Sequence, residues 1–383
     1  MANSLVNIPI SKMKDIIRKG LEAKKVKISD KQGGIDRAML FLSSPGIGKT
    51  SAIKEVADEL GIPYHIISPV QHAPEDFGGI PVPTKEMTTV NKLPVEDIFP
   101  THLRSKERGI FFIDELTSAE FSTQGALYRL LLDGRTDTFT LPAGWLRVAA
   151  GNLMSDKALV NELSSALINR VSMYKIIPDT SEWVRYVIDK YSGTPLEEQS
   201  LTLAAFAMSL GADAFGEEPS TDTPFTSPRS LERVIEDIYL DIDYGADVST
   251  STAAKIIAYI SDLRKLPKGE EFINNPKLLD KHIDKIFSVV PVICAYINSF
   301  KQQLKEADYN RIEKFLLSPS VEALGEKGGP GREFIYMVIK QLATAMKHSA
   351  GKYELSKKFK QNIHDHYPFL KKLADIDDNS KGS

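Results

Sequence analysis

One octapeptide constrains this chain more than any other feature: Ser43-Ser44-Pro45-Gly46-Ile47-Gly48-Lys49-Thr50. It follows directly on the apolar run Ala38-Met39-Leu40-Phe41-Leu42 and opens the helical pattern Ser51-Ala52-Ile53-Lys54-Glu55-Val56-Ala57-Asp58-Glu59-Leu60. Strand, glycine-bearing loop, Lys-Thr and helix is the context that a phosphate-binding loop requires. In such a loop backbone N–H groups wrap phosphate oxygens, and the helix N-terminus adds partial positive charge. Ser44, Pro45, Gly46, Ile47, Gly48, Lys49, Thr50 and Ser51 are therefore the candidate nucleotide contacts. Lys49 suits the terminal phosphates, and the Thr50 hydroxyl suits Mg²⁺. The pattern G-x-x-x-x-G-K-[ST] is met except at its first position, where Ser43 stands for glycine. The competing reading is a Gly-Lys helix start that holds no ligand.

A second motif weakens that competing reading. Gly109-Ile110-Phe111-Phe112-Ile113-Asp114-Glu115 is an apolar strand that ends in two carboxylates. In a phosphate-loop protein the strand-end aspartate, Asp114, helps hold Mg²⁺ through its water shell. The adjacent Glu115 can polarise an attacking water as a general base. The two motifs lie about sixty residues apart, a spacing that suits a parallel sheet with intervening helices. ATP and Mg²⁺ are the expected ligands, and ATP hydrolysis the expected chemistry.

Three further stretches follow in order. Arg147-Val148-Ala149-Ala150-Gly151-Asn152 reads as a strand ending in an amide. Ala166-Leu167-Ile168-Asn169-Arg170-Val171 ends a helix with an arginine, and Thr226-Ser227-Pro228-Arg229-Ser230-Leu231 starts one with an arginine. Singly, these are ordinary turn and helix-end residues. After the two phosphate-site motifs, they make the chain resemble the AAA+ ATPases. That resemblance implies Asn152 as the sensor 1 residue, Arg170 as an arginine finger and Arg229 as the sensor 2 arginine.

Within that group the chain is most similar to the MoxR-type branch. Ala73-Pro74-Glu75-Asp76-Phe77-Gly78-Gly79-Ile80-Pro81-Val82-Pro83, Phe112-Ile113-Asp114-Glu115-Leu116-Thr117, Leu141-Pro142-Ala143-Gly144-Trp145 and Ser227-Pro228-Arg229 carry the likeness. It covers roughly residues 35–245, and it departs at Ser43 and at Asn169, where the branch often has aspartate. The resemblance implies an oligomeric ring, a hexamer when active, in which a neighbour supplies Arg170 in trans. Arg229 then couples a lid to the nucleotide state, within its subunit or across the interface. Remodelling or maturation of a protein client is the implied output, with a von Willebrand factor A domain protein as a possible partner. A nucleic-acid-associated motor or loader is the alternative from another class.

Composition bears on that choice. Basic and acidic residues nearly balance, 48 against 51, which counts against a nucleic-acid groove. Cys294 is the only cysteine, so no intrachain disulfide forms. It is expected to pack inside a helix within Val289-Val290-Pro291-Val292-Ile293-Cys294-Ala295. The seven histidines are scattered, and His364-Asp365-His366 reads as a solvated tail rather than a metal site. No apolar segment is long enough to span a membrane, and Met1-Ala2-Asn3-Ser4-Leu5 lacks the order of a signal peptide. A cytoplasmic protein is expected.

The pattern along the chain predicts an α/β fold, a P-loop NTPase three-layer αβα sandwich with a five-stranded parallel sheet. It places an N-terminal helix over residues 10–24, a helix from Ser118 to Leu132, a hairpin arm at Thr136–Leu141 and a helix from Asp156 to Asn169. The proline-rich stretch 69–107 breaks regular structure. In the family resembled, this region carries an insert facing the central pore. Phe77 and Phe139, each on a turn-bounded loop, are candidate client contacts or else anchors packed on the sheet. The expected domains are 1–178 for the nucleotide domain, 179–262 for a helical lid and 263–383 for a helical C-terminal region. Gly216–Ser227 reads as a mobile acidic stretch, and Asp375–Ser383 as a disordered tail.

Overall fold

The structure, a computed structural model, describes residues 5–25, 36–86, 88–156, 160–300, 304–326, 330–348 and 370. His364-Asp365-His366 and Asp375–Ser383 lie outside the described residues. The chain divides into two compact units. The first holds Met1–Asp179 and Glu217–Arg229, the second Thr180–Gly216 and Ser230–Ser383.

The first unit is built on strands β1 (Val6–Ile8), β2 (Met39–Leu42), β3 (Tyr64–Ile67), β4 (Ile80–Pro83), β5 (Val90–Leu93), β6 (Arg108–Ile113), β7 (Gly144–Gly151) and β8 (Ser172–Ile176). Six of them form one sheet in the order β1-β8-β2-β7-β6-β3, parallel at every pairing. Its helices are α1 (Ile10–Ala23), α2 (Lys49–Glu59), α3 (Pro74–Gly78), α4 (Phe121–Asp133) and α5 (Ser165–Ile168).

Apart from Arg108 and Arg147, the central strands β2, β6 and β7 are apolar because both of their faces are covered. Successive side chains point to opposite faces, so each strand feeds two cores. Leu40, Leu42, Phe111, Ile113 and Ala149 join Leu127, Leu130 and Leu131 of α4 on one side. Phe41, Ile110, Phe112, Val148 and Ala150 join Ile17 and Leu21 of α1 and Ile53 and Val56 of α2 on the other. This is the three-layer αβα arrangement of a P-loop NTPase.

Among the described residues the sheet has six strands rather than the expected five. The extra strand, β1, pairs with β8 through Val6 and Tyr174 and through Ile8 and Ile176. It is three residues long and buries only Ile8, so it leaves no apolar run to read. The helix expected from Asp156 to Asn169 is also corrected. Met154–Asp156 is a single 3₁₀ turn, and among the described residues of that stretch α-helix occurs at Ser165–Ile168. The expected hairpin arm at Thr136–Leu141 reduces to one bridge between Arg135 and Thr140.

Phe77 and Phe139 are anchors, not exposed contacts: they are 1% and 2% exposed. Phe139 stacks on Phe99, ring centroids 4.6 Å apart. Within the described residues of 69–107 the exposed large apolar side chains are instead Val70 and, on the antiparallel hairpin β4–β5, Ile80, Val82, Val90 and Leu93. The end of the stretch expected to be mobile is held in place. Thr226 and Ser227 are buried, and the Thr226 amide donates to Glu217 Oε2 at 2.7 Å.

The second unit is helical: α6 (Thr180–Tyr191), α7 (Glu197–Leu210), α8 (Pro228–Leu240), α9 (Thr250–Leu263), α10 (Gly269–Asn274), α11 (Leu278–Lys281), α12 (Ile286–Asn298), α13 (Glu306–Leu316), α14 (Pro319–Glu326) and α15 (Pro330–His348). The unit boundary falls inside α8, after Arg229. One core runs through these helices, from Val184 and Leu203 through Val234 and Ile256 to Ile293 and Phe334. Helix α12 is packed by α7, α9, α10 and α15. It is therefore apolar on nearly every face rather than along one stripe. Cys294 lies on it, fully buried, and burial pushes its thiol up. None of the described helices is long and apolar enough to cross a membrane.

Candidate active site

The site lies where β2 ends and α2 begins. Gly46 and Gly48 hold φ of +79° and +103°, a left-handed backbone that a side chain strains. At Gly46 a Cβ would also lie 2.7 Å from Ser227 Oγ. Helix α2 starts from Gly48 with no side-chain cap. Its first N–H groups, at Lys49, Thr50 and Ser51, are thus left for an anion. Ser44, Pro45, Gly46 and Ile47 line the loop and are half-buried.

Ser43, the departure from the glycine pattern, is fully buried. Its Oγ accepts a hydrogen bond from Lys49 Nζ at 2.6 Å and donates to the Ser44 carbonyl at 2.8 Å. Burial pushes the Lys49 ammonium down to about 8; the Asp114 and Asp156 carboxylates oppose this, and Arg229 adds to it.

The two motifs meet at a short contact. Thr50 Oγ1 donates to Asp114 Oδ2 at 2.6 Å. Asp114 Oδ1 accepts the Glu115 amide at 3.0 Å. Glu115 itself sits at φ +57°, and its Oε2 accepts from Ser68 Oγ at 3.0 Å. The β3–β6 register explains that partner. Ile67 pairs with Ile113, so Ser68 lies beside the turn that carries Asp114 and Glu115.

Asn152 follows β7, the other neighbour of β6. Its amide donates to Thr117 Oγ1 at 2.8 Å. The preceding residue ties this strand end to the phosphate loop, because the Ser43 amide donates to the Gly151 carbonyl at 3.2 Å. Asp156 adds a carboxylate that sequence reasoning missed. It is buried, and its Oδ1 accepts from Ser44 Oγ at 3.2 Å while Oδ2 accepts the Leu153 amide at 3.2 Å.

Arg229 also reaches the loop of its own chain: its amide donates to the Gly46 carbonyl at 3.1 Å. Arg170 does not. It is exposed, and its guanidinium lies 5.4 Å from the centre of the Tyr128 ring. Among the described residues no hydrogen bond or ion pair joins it to Lys49, Asp114 or Glu115.

This geometry agrees with the comparison to known families. Residues 39–177 match the ATPase family associated with various cellular activities (AAA). This segment is an AAA ATPase domain.

The AAA segment contains the phosphate loop, Asp114, Glu115, Asn152 and Arg170; Arg229 lies beyond it. Among solved structures, the chain is similar to the Thermotoga maritima RuvB Holliday junction branch migration motor. The identity is 19%, over 65% of this chain and 67% of that one, with a TM-score of 0.37. A mutant of the same RuvB matches at 16% identity over 81% of this chain and 90% of its own, also at 0.37. No curated protein matches the chain.

Four residues of this site, Ser43, Ser68, Thr117 and Asp156, were absent from the sequence-level assignment. Only Ser68 carried a readable signal, as the residue one step past the strand that neighbours β6. Thr117 and Asp156 act through contacts between distant segments, and Ser43 through a side-chain bond within the loop, none of which periodicity encodes.

Proposed function

We propose that the chain hydrolyses ATP as an oligomeric AAA+ protein of MoxR type. The observation that carries this is the convergence of Lys49, Thr50, Asp114 and Glu115 on one loop, closed by the 2.6 Å Thr50–Asp114 contact. Thr50 Oγ1 and Asp114 Oδ2 are hard oxygen donors, which suit Mg²⁺. Thr50 and Asp114 would hold it, Asp114 through water. A Mg²⁺ ion held there would neutralise charge on the nucleotide phosphates.

The remaining roles belong to the chain's own groups. The loop amides and Lys49 bind the phosphates, with Lys49 exchanging its Ser43 partner for an oxygen of the nucleotide. Glu115 orients the attacking water and takes its proton. Asn152 senses the γ-phosphate from the adjacent strand end. Arg229 acts on the loop of its own subunit, a reading supported by its main-chain bond to Gly46. The helices of residues 179–262 serve as the lid it couples to, ahead of a C-terminal region of residues 263–383.

Arg170 acts in trans. It is exposed and directed onto Tyr128 rather than into its own site, which supports a finger supplied to a neighbouring subunit. This reading takes the assembly to be a ring, a hexamer in the active state. The output is remodelling or maturation of a protein client in the cytoplasm, with a von Willebrand factor A domain protein as partner. The exposed apolar hairpin β4–β5 replaces Phe77 and Phe139 as the surface offered to the client.

Mixing two dead variants tests the reading. Glu115→Gln keeps nucleotide affinity and loses turnover. Arg170→Ala keeps affinity and loses about 10³-fold in rate. Their mixture regains activity, because some interfaces then pair an intact site with an intact finger. Full-rate hydrolysis by Arg170→Ala at every dilution would remove the in-trans finger. Stimulation by duplex DNA and by no protein would remove the client class.

A further inference from the structure

We infer that Thr117 is a positioning residue that locks Asn152 to the Glu115 turn and joins both to the segment leading to Arg170. The inference rests on the roles proposed above for Glu115 and Asn152. It starts from a backbone oddity. Glu115 occupies the left-handed region, unusual for a side-chain-bearing residue, and such a conformation persists only where the surroundings fix it. The next residues, Leu116–Ser118, form one 3₁₀ turn, closed by the Ser118 amide donating to the Glu115 carbonyl at 3.0 Å.

Thr117 sits in the middle of that turn and is 3% exposed. Its hydroxyl accepts the Asn152 amide at 2.8 Å and donates to the Asn152 carbonyl at 3.3 Å. One hydroxyl offers a donor and two acceptor positions, so both bonds fit it at once. Both main-chain polar groups of Asn152 are thereby referred to the turn that carries Glu115. The approach is close enough to dictate the neighbouring residue. A Cβ on Gly151 would lie 2.5 Å from Thr117 Oγ1 and 2.6 Å from its Cγ2.

The same turn reaches a third segment. The Thr117 carbonyl accepts the Asn161 amide at 2.7 Å, and the Ala119 carbonyl accepts Asn161 Nδ2 at 2.9 Å. Three residues later Ser164 caps α5, its Oγ accepting the Leu167 amide at 3.2 Å, and Arg170 follows that helix. Hydrogen bonds and the short chain segments between them therefore link the general base, the strand-end amide and the finger segment, and Thr117 is where the branches meet. The plainer alternative is a β-branched core residue whose hydroxyl merely satisfies buried backbone.

The two alternatives differ in what the hydroxyl controls. Thr117→Val removes the hydroxyl and keeps the shape; Thr117→Ser keeps the hydroxyl and loses the methyl. Turnover and ADP affinity are measured for both in the full chain, beside Glu115→Gln. Thr117→Val is expected to lower kcat about tenfold or more with ADP affinity within about twofold, and Thr117→Ser to stay within about threefold of the parent kcat. Parent-level kcat in Thr117→Val overturns the inference. So does equal damage in Thr117→Ser, or parallel loss of ADP binding and kcat in Thr117→Val. If Thr117→Val does not fold, amide exchange in the unsubstituted chain decides. Protection of the Asn152 amide matching that of the β7 amides is expected, and exchange at a loop rate overturns the clamp. Turnover retained by Glu115→Gln would sink the base assignment instead, and the Val-against-Ser comparison of kcat stands apart from it.

Discussion

The two units bury polar groups in opposite ways. In the AAA unit they converge: Ser43, Thr117 and Asp156 are all buried, Ser43 bonding Lys49 within the phosphate loop, Asp156 reaching that loop from a distant segment and Thr117 reaching Asn152. In the helical unit they are dispersed. Ser200 donates to the Glu197 carbonyl within α7, and Thr344 to the Lys340 carbonyl within α15. Asp308 pairs with Arg311 along α13, and Glu333 is met by Arg185 at 2.5 Å. Polar burial in the helical unit is scattered over separate pairs, some within one helix and some between helices, as in Glu333 with Arg185 and Thr344 with Ser192. Polar burial that serves a site is focused on one place, and that focus is what the first unit adds to a packed core.

The largest effect that could break this contrast is at the buried phenylalanines of the AAA unit. If Phe77 and Phe139 are ordinary anchors, they behave like Phe272 or Phe334 of the helical core, which are also fully buried. Phe77→Ala and Phe139→Ala should each cost about 3–5 kcal/mol in a denaturant titration. Unchanged stability with lost client stimulation would return them to the function assigned to exposed loops.

The next effect sharpens the convergence at Lys49. Lys49→Ala removes one charge-assisted contact to phosphate, worth about 1.5–3 kcal/mol of ATP affinity, about ten- to a hundredfold. Affinity within twofold of the parent would mean the loop amides alone hold the nucleotide. A pH series refines this. Burial holds Lys49 near 8 in the free protein, and phosphate favours its charged form. Binding therefore takes up a proton above that pH. ATP affinity should fall by up to about tenfold per unit as pH rises from about 8 to 9.5. Lys49→Arg, which stays charged, should flatten the profile. An identical slope in Lys49→Arg would place the titration elsewhere.

What was legible in the sequence follows the same division. The β2–loop–α2 unit and the β6 carboxylates are local signals, fixed by residues adjacent in the chain, and the structure brings them together at Thr50 and Asp114. The two readings of Phe139, contact or anchor, stay open in the sequence because its partner, Phe99, lies in a proline-rich stretch with no periodicity. The helix expected from Asp156 fails because Asp156 turns back onto Ser44 and Leu153, and Asn161 bonds to Thr117 and Ala119. Side-chain and main-chain bonds to distant segments outcompete the helical pattern there. In the helical unit the periodicity identifies helices such as α7 and α9. It does not say that α12 is the helix enclosed by the others.

The smallest effect concerns a buried carboxyl in the helical unit that serves no focus. Asp237, on α8, is 8% exposed, and its Oδ2 is buried without a hydrogen-bond partner. Burial pushes this carboxyl up to about 6, helped by the neighbouring carboxylates of Asp247 and Glu236 and opposed by Arg233. Asp247 is itself paired with Arg233 at 2.7 Å, so Arg233 is already engaged. A folded-state value above the unfolded one means the group contributes stability while protonated. That contribution is complete below about pH 4 and is lost as pH rises through about 6. At pH 8 the folded chain therefore carries a buried, unpaired charge. Asp237→Asn keeps the shape and removes the charge, and should raise the melting temperature at pH 8 by about 2–4 °C. Near pH 4, where the native carboxyl is already neutral, the same substitution should change it little. A fall at both pH values would show that the carboxylate makes a bond the amide cannot replace. The helical unit would then contain a second point of polar convergence, and the contrast between the units would narrow to one of degree.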